Sequence, residues 1–473
     1  MNEVSWSVAE LEQLFGAPYF SAADAGKPLP VQSIGGVAVD SRLVKPGDLF
    51  VALAGDPGQR FNPSARSSAD GHDYLAHALE RGAAAALVSR PQSVAIPQYQ
   101  TPETYEGLWQ LGHAARARLA GPVIAITGSS GKTTAKNFLA QSMGAYAPPG
   151  SFNNHIGVPL SLANAWNAAP AWVFEIGTSF PGEIAPLTAM VQPDLAILLN
   201  VHNAHIENFP SRQALIEEKS QIFSTIDARG LRVVHDELAL PGFGFGWLAD
   251  SQARILDIQG ETLSLSLFGE KLVARIPGGG VHRGLTLSAC LLAMKLLDMD
   301  LQSGLALDGD AVPAGRGNRR VSAGIEVVDD SYNANPASMN AAISAFLAGH
   351  EAAGATQSRA QGRNVVILGD MRELGAESDQ AHVNILSRLA HEPTVHGIVL
   401  VGEQMAKALE GLRGGPEEGL LASRLLGCFD QCGSALMQQV TQTLETGDRV
   451  LVKGSNRVFW AHGFVDNLLE QLQ

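Results

Sequence analysis

Three apolar runs constrain this chain more than anything else in it: VIAIT at 123–127, WVFEIG at 172–177 and LAILLNV at 195–201. A strand with one wet face alternates polar and apolar residues. A strand that is apolar throughout is buried on both faces, as in a parallel sheet covered by helices. Each run is followed by polar residues and then by helical spacing, the alternation of βαβ units. The texture returns in IEVVDDS (325–331), NVVILGD (364–370), GIVLVGE (397–403) and RVLVKGS (449–455), with helical spacing in MNAAISAFLAG (339–349). A second doubly wound α/β region is therefore predicted, beginning near Pro313. Before Gly121 the chain is rich in Gly, Pro and Ala, with short strand-like runs in GDLFVAL (47–53) and AAAALVSR (83–90). GDPGQRFNPSARSSADG (55–71) is polar and turn-rich and reads as a surface loop.

The 473 residues are too many for one core, and about three domains are expected. The segments fall at 1–118, 119–312 and 313–473. Hydrophobic residues make up 45% and charged ones 17%, enough to build real cores. A formal charge of −14 argues against a general nucleic-acid or membrane binder. No apolar run reaches the roughly 18 residues of a membrane span. The opening MNEVSWSVAELEQLFG carries acidic residues and no apolar core, unlike a signal peptide. Cys290, Cys428 and Cys432 give no zinc-like set of four ligands. Cys428 and Cys432 are spaced to pair or bind metal, but scattered buried thiols in a reducing cytosol fit better.

The first run leads into GSSGKTT, Gly128 to Thr134. A glycine-rich turn between strand and helix, closing on Gly-Lys-Thr, is how a chain cradles phosphate. The strict spacing G-x-x-x-x-G-K-[ST] is not met, because Ile126 stands where the first glycine belongs. That position is the strand end, so the turn itself is intact. Gly128 and Gly131 allow tight turning and close approach, while the amides of Ser129, Ser130 and Thr134 and the helix start favour an anion. Lys132 reaches toward the β- and γ-phosphates and the Thr133 hydroxyl toward magnesium. The plain alternative is a Gly-Ser turn before a helix.

Three further residues need explaining. Glu175 interrupts the second apolar run, and a buried carboxylate is costly unless paired or on a metal. His205 lies just past the third run. Both sit toward strand carboxyl ends, the edge where open α/β sheets bind ligands. Lys219 shares helical spacing with Leu215, Ile222 and Ile226, so it points along the apolar stripe while Glu217 and Glu218 point elsewhere. Taken singly, each has a bland reading: a carboxylate paired with an arginine, a satisfied structural histidine, a snorkelling lysine. Together, downstream of a phosphate loop, they suggest a second magnesium site. A lysine cation, however, is a poor metal ligand.

ITGSSGKTT, FNNHIGVPLSL (152–162), FEIGTSFPGEI (174–184), NAHIENF (203–209) and EEKSQIF (217–223) resemble the central domain of the Mur peptide ligases. DSRLVKPGDLFVALAG (40–55), DDSYNANPASMNAAI (329–343), LGDMRELGAESDQAH (368–382) and LVKGSNR (451–457) are similar to one branch of that family. That branch joins D-alanyl-D-alanine to UDP-N-acetylmuramoyl-tripeptide. The resemblance covers nearly the whole chain in order. It implies an α/β protein of three domains: a small N-terminal UDP-substrate domain, a central P-loop ATPase-like parallel-sheet domain and a C-terminal Rossmann-like doubly wound domain. It implies ATP, two magnesium sites and a cytoplasmic monomer. It also removes the difficulty over Lys219, whose counterpart is carbamylated and so ends in a carboxylate-like anion. Burial lowers a lysine's pKa and leaves more neutral amine to react.

By the same resemblance, Lys132, Glu175, His205 and Lys219 are catalytic. Thr133 serves one magnesium; Glu175, His205 and Lys219 serve the second. Arg316 stands near the phosphates, and Asp330 and Asn333 face the nucleotide or the reaction centre. Ser41 and Arg42 face the uridine end, and Asn153 and Asn154 the sugar-diphosphate side. Each of these also fits an ordinary polar turn. Two departures stand out. Where the family has G-x-H-N opening a helix, this chain reads GGGVHRG, and His282 falls about where the adenine-holding asparagine belongs. The stretch between Gly55 and Gly71 is long for the family. The D-N-P-R run of the diaminopimelate-adding ligase does not occur, and LGDMRELG stands instead. A folylpolyglutamate synthase has no reason to carry the DSR-x-x-x-PGDLF segment. A catalytically silent nucleotide-binding partner in a cell-wall complex would be expected to have lost Lys132, Glu175, His205 or Lys219.

Overall fold

A computed structural model describes residues 6–20, 33–55, 69–202, 206–226, 230–354 and 362–473, with side chains omitted for 349–354. The chain forms an α/β protein of three principal sheets. Strands β1 (Trp6–Ser7) and β2 (Ser33–Ile34) make a small antiparallel pair. Next, β3 (Val37–Ala38), β4 (Leu49–Val51), β5 (Ala85–Val88) and β6 (Gln98–Gln100) form a parallel four-stranded sheet in that order. Phe50, Ala52, Ala86 and Val88 pack there against Leu75 and Ala78 of the neighbouring helix.

The central sheet comprises β7 (Val123–Thr127), β8 (Trp172–Glu175), β9 (Leu195–Leu198), β10 (Leu231–His235), β11 (Phe243–Gly246), β12 (Ala253–Gln259), β13 (Thr262–Leu267) and β14 (Glu270–Arg275). Its order is β14-β13-β12-β11-β10-β9-β7-β8. The three apolar runs are β7, β8 and β9, every residue of them buried. The expectation of a purely parallel sheet needs correcting. β12, β13 and β14 are antiparallel, joined by hairpins. The signal was present: TLSLSL alternates with period two, and Gly260 and Gly269 supply the turns, both in the left-handed region.

The last sheet contains β15 (Asn318–Ser322), β16 (Ile325–Asp330), β17 (Asn364–Gly369), β18 (Gly397–Val401), β19 (Leu425–Phe429) and β20 (Arg449–Lys453), ordered β15-β16-β20-β17-β18-β19. All neighbours are parallel except β15 with β16. Side chains alternate between faces as the pleat requires. Val366, Leu368 and Leu451 pack with Met339, Ile343 and Leu386 on one face. Val365, Ile367 and Val450 pack with Leu436, Phe464 and Leu468 on the other. Helices on both faces make this a doubly wound sheet. β20 returns between β16 and β17, so the strand order reverses there. That reversal opens a crevice at the carboxyl ends of the strands, where Asp330 and Lys453 stand.

The chain divides into two compact units: Met1–Thr127, Met143–Ile197 and Glu218–Arg232; and Gly128–Ser142, Leu198–Glu217 and Val233–Gln473. Among the described residues no helix is long and apolar enough to cross a membrane. Cys290 is buried, but Cys428 is exposed and Cys432 half-buried, so the expectation that the latter two are buried thiols needs correcting. The long stretch between Gly55 and Gly71 falls largely outside the described residues.

Candidate active site

The second unit holds the phosphate loop. Gly131 lies at φ +82, a conformation that side chains disfavour, and the helix Lys132–Met143 begins at once after it. Asn200, at the polar end of the LAILLNV run, braces the loop. Ser129 N donates to the Asn200 carbonyl at 3.1 Å and Ser130 N to Asn200 Oδ1 at 3.0 Å. His202 N donates to Ser129 Oγ at 2.9 Å. Two amides expected to face phosphate are thus taken up by Asn200, a residue that sequence reasoning passed over. Its signal was a single polar side chain closing an apolar strand. Lys132 Nζ folds back to the Gly128 carbonyl at 2.6 Å. Thr133 and Thr134 are buried. Burial pushes the His202 imidazole below its ordinary value, helped by the charges of His235 and Arg212 and opposed by Glu237.

The loop helix packs on the helix Val281–Leu296, where Cys290 Sγ approaches the Ala135 carbonyl at 3.6 Å. The first turn of that second helix reaches the crevice of the six-stranded sheet. A small cleft there is lined by His282, Arg283, Arg319, Asp330, Phe346 and Leu451. Asp330 Oδ2 accepts from Lys453 Nζ at 2.8 Å, and the same ammonium donates to the Asn333 carbonyl at 3.0 Å. Lys453 is buried in the end of β20 and was missed as a site residue, although its motif LVKGSNR was noticed. Asn333 is exposed, and its Oδ1 accepts from Ala334 N at 2.9 Å. The Arg316 guanidinium stacks 4.3 Å from the centroid of the Tyr332 ring, which meets Trp460 edge-on. The phosphate loop, Arg316, Asp330 and Asn333 therefore belong to one compact unit.

One sequence reading shifts here. Gly280-Val281-His282 matches the G-x-H part of the family pattern, so Arg283, not His282, replaces the asparagine. His282 is exposed, whereas Arg283 is buried and bonded to three carbonyls.

The first unit holds the remaining candidates. Glu175 ends β8 and is 1% exposed, with Ser151 Oγ 3.5 Å from its Oε2. Lys219 is also 1% exposed, and Leu215, Ile222 and Ile226 are buried, so the apolar stripe is real. Glu218 does not lie on a solvated face. It is buried and accepts from Gly182 N at 2.8 Å and Ile184 N at 2.9 Å, fixing the start of helix Ile184–Val191. Asn153 accepts from Gly177 N through its carbonyl at 2.7 Å. Asn154 Oδ1 accepts from Ile156 N and Gly157 N at 3.1 and 2.9 Å, a turn that opens helix Gly157–Ala163. Ser41 is buried, its hydroxyl 2.9 Å from His77 Nδ1. Arg42 is open to solvent, with 81% of its side chain exposed, and pairs with Asp40 at 2.6 Å. Its guanidinium holds the Asp40 carboxyl below the usual carboxylate range, against the effect of burial. His205 lies outside the described residues. Among those described, no three His, Cys, Asp or Glu side chains gather as metal ligands.

Two family models match: the Mur ligase middle domain over residues 126–259, and the Mur ligase glutamate ligase domain over 315–456. The UDP-N-acetylmuramoyl-tripeptide–D-alanyl-D-alanine ligase of Escherichia coli K12 is 31% identical over 394 residues, covering 78% of this chain and 81% of its own. The corresponding ligase of Mycobacterium leprae is 31% identical, covering 90% and 91%. A crystal structure of MurF from Acinetobacter baumannii superposes with a TM-score of 0.76 at 28% identity, covering 99% of this chain and 100% of that one. MurF ligase from Thermotoga maritima in complex with ADP gives 0.70 at 26%, covering 92% and 97%. With its motifs in family order and relatives matched over most of their length, this chain belongs to the Mur ligase family.

Proposed function

We propose that this Mur-family ATP-dependent amide ligase joins D-alanyl-D-alanine to UDP-N-acetylmuramoyl-tripeptide. The observation that carries the reading is the union, in one compact unit, of the Gly128–Thr134 loop with Arg316, Asp330 and Asn333 at a sheet switch point. The names of the Escherichia coli and Mycobacterium leprae relatives support the substrate pair. The tripeptide's terminal carboxylate attacks the γ-phosphorus of ATP and ADP leaves. The dipeptide's amine, having lost a proton, attacks the acyl phosphate carbonyl, and phosphate departs through a tetrahedral intermediate. A carboxylate is a poor electrophile and its mixed anhydride a good one.

Lys132 screens the approach of carboxylate to phosphate and, with Arg316, stabilises charge as it develops. The Thr133 hydroxyl and Glu175 carboxylate are hard oxygen donors that suit magnesium, which usually takes few protein ligands beside phosphate and water. Thr133 would hold one ion; Glu175, His205 and carbamylated Lys219 would serve a second, supplying charge neutralisation. Asp330 and Asn333 face the nucleotide. Ser41, Arg42, Asn153 and Asn154 serve the UDP end. The domains are 1–118, 119–312 and 313–473, in a cytoplasmic monomer.

The test is phosphate release from ATP and magnesium with both substrates and with each omitted. Release that needs both, lost in Lys219→Ala and partly restored by a short carboxylic acid, supports ligase and carbamate together. Release with neither substrate, or with no mixture, sinks the assignment.

A further inference from the structure

Arg283 is an unexpected side chain to bury where it stands. It occupies the first turn of helix Val281–Leu296, where open amides and the helix dipole disfavour a cation. Yet the residue is 6% exposed. A buried guanidinium is costly unless hydrogen-bonded, and among the described residues this one donates to three backbone carbonyls. Nη1 donates to the carbonyls of Gly278 at 2.8 Å and Gly279 at 3.0 Å. Nη2 donates to the carbonyl of Arg316 at 2.9 Å, across 33 residues of chain.

Gly317 makes the room. A Cβ built there would sit 1.9 Å from Arg283 Nη2. The Gly317 amide donates to the Asp329 carbonyl at 2.6 Å. The turn that presents Arg316 is thus held on one side by Arg283 and on the other by the strand that ends in Asp330. The Arg316 side chain leaves this turn over the Tyr332 ring. A planar fork can bind two turns at once; an ammonium cannot match it, and an asparagine is too short to span them.

We propose that Arg283 is a positioning residue: it ties the start of helix Val281–Leu296 to the Arg316 backbone and so sets where the Arg316 guanidinium stands. The role in turnover rests on the reading of Arg316 as a phosphate-facing residue. The tether itself does not.

The experiment is a double-mutant cycle on the full-length chain, with both substrates present. Arg283→Gln should lower kcat/KM for ATP about tenfold, and in the Arg316→Ala background by less than about twofold, because nothing is left to position. Arg283→Lys, kept as the milder variant should glutamine prevent folding, should show the same loss of coupling. Equal losses in both backgrounds, or a lowered melting temperature with unchanged kcat/KM, would overturn the proposal. Should Arg316→Ala leave turnover intact, the reading of Arg316 fails. Hydrogen exchange across residues 313–317 then decides the tether: faster exchange in Arg283→Gln upholds it, unchanged exchange removes it.

Discussion

Lys132 and Arg283 sit in the same local setting and are used differently. Each follows a strand and a glycine-rich turn and stands in the first turn of a helix. Each donates to carbonyls of the turn behind it: Lys132 to Gly128, Arg283 to Gly278 and Gly279. Lys132 is half-buried, and on the proposed reading it is the cation that meets phosphate. Arg283 is buried and reaches onward to Arg316. The strand–turn–helix pattern therefore marks where a cation stands. On the proposed reading, burial and the remote bond separate a cation that meets a ligand from one that holds a neighbouring turn.

The largest expected effect separates the two most sharply. Lys132→Ala should cut turnover by roughly 10²–10³-fold or more with little change in melting temperature, as removal of one preorganised charge at the reaction centre does. Arg283→Gln should do the reverse in proportion: a tenfold loss of kcat/KM and a stability cost of about 2 kcal/mol, read by denaturant unfolding, from hydrogen bonds of a buried charged group.

The glycines give the next test. Gly131 and Gly317 both have positive φ, +82 and +85. A Cβ at Gly131 meets Thr286 Oγ1 at 3.2 Å and Leu199 Cδ1 at 3.5 Å, whereas one at Gly317 enters the Arg283 guanidinium. Gly131→Ala should cost about 1–2 kcal/mol of backbone strain. Gly317→Ala should cost more and lose the coupling between Arg283 and Arg316. Equal destabilisation would break the comparison.

The smallest effect is in pH. Burial holds the imidazole of His202, whose backbone amide donates to Ser129 Oγ, below its ordinary value. The unfolded chain then takes the proton more readily. Stability contributed by neutral His202 is complete above about pH 6.5 and is lost as pH falls from there toward the folded value. Between about pH 7 and 5 the native chain should lose more stability than His202→Asn. Arg283 does not titrate in that range, so its tether should persist.

The sequence disclosed the strands, the phosphate loop and the inward lysine because each rests on a local period or a short motif. VIAIT and its companions are buried strands by composition alone, and Lys219 shares the spacing of Leu215 and Ile222. What escaped is non-local. Asn200 lies about seventy residues from the loop it braces, as the separation of 70 from Ser130 records. Lys453 stands 123 residues from Asp330. Helical spacing places Glu218 off the apolar stripe but gives it no role, because nothing nearby announces the amides of Gly182 and Ile184 that it holds. The β12–β14 hairpins were legible but were outweighed by the parallel strands around them.

The most direct measurement follows one oxygen atom. The tripeptide would carry heavy oxygen in its terminal carboxylate, and the phosphate released during ligation to D-alanyl-D-alanine would be weighed by mass spectrometry. Carboxylate activation predicts one heavy oxygen transferred to each phosphate formed. Amide formation with unlabelled phosphate would contradict it.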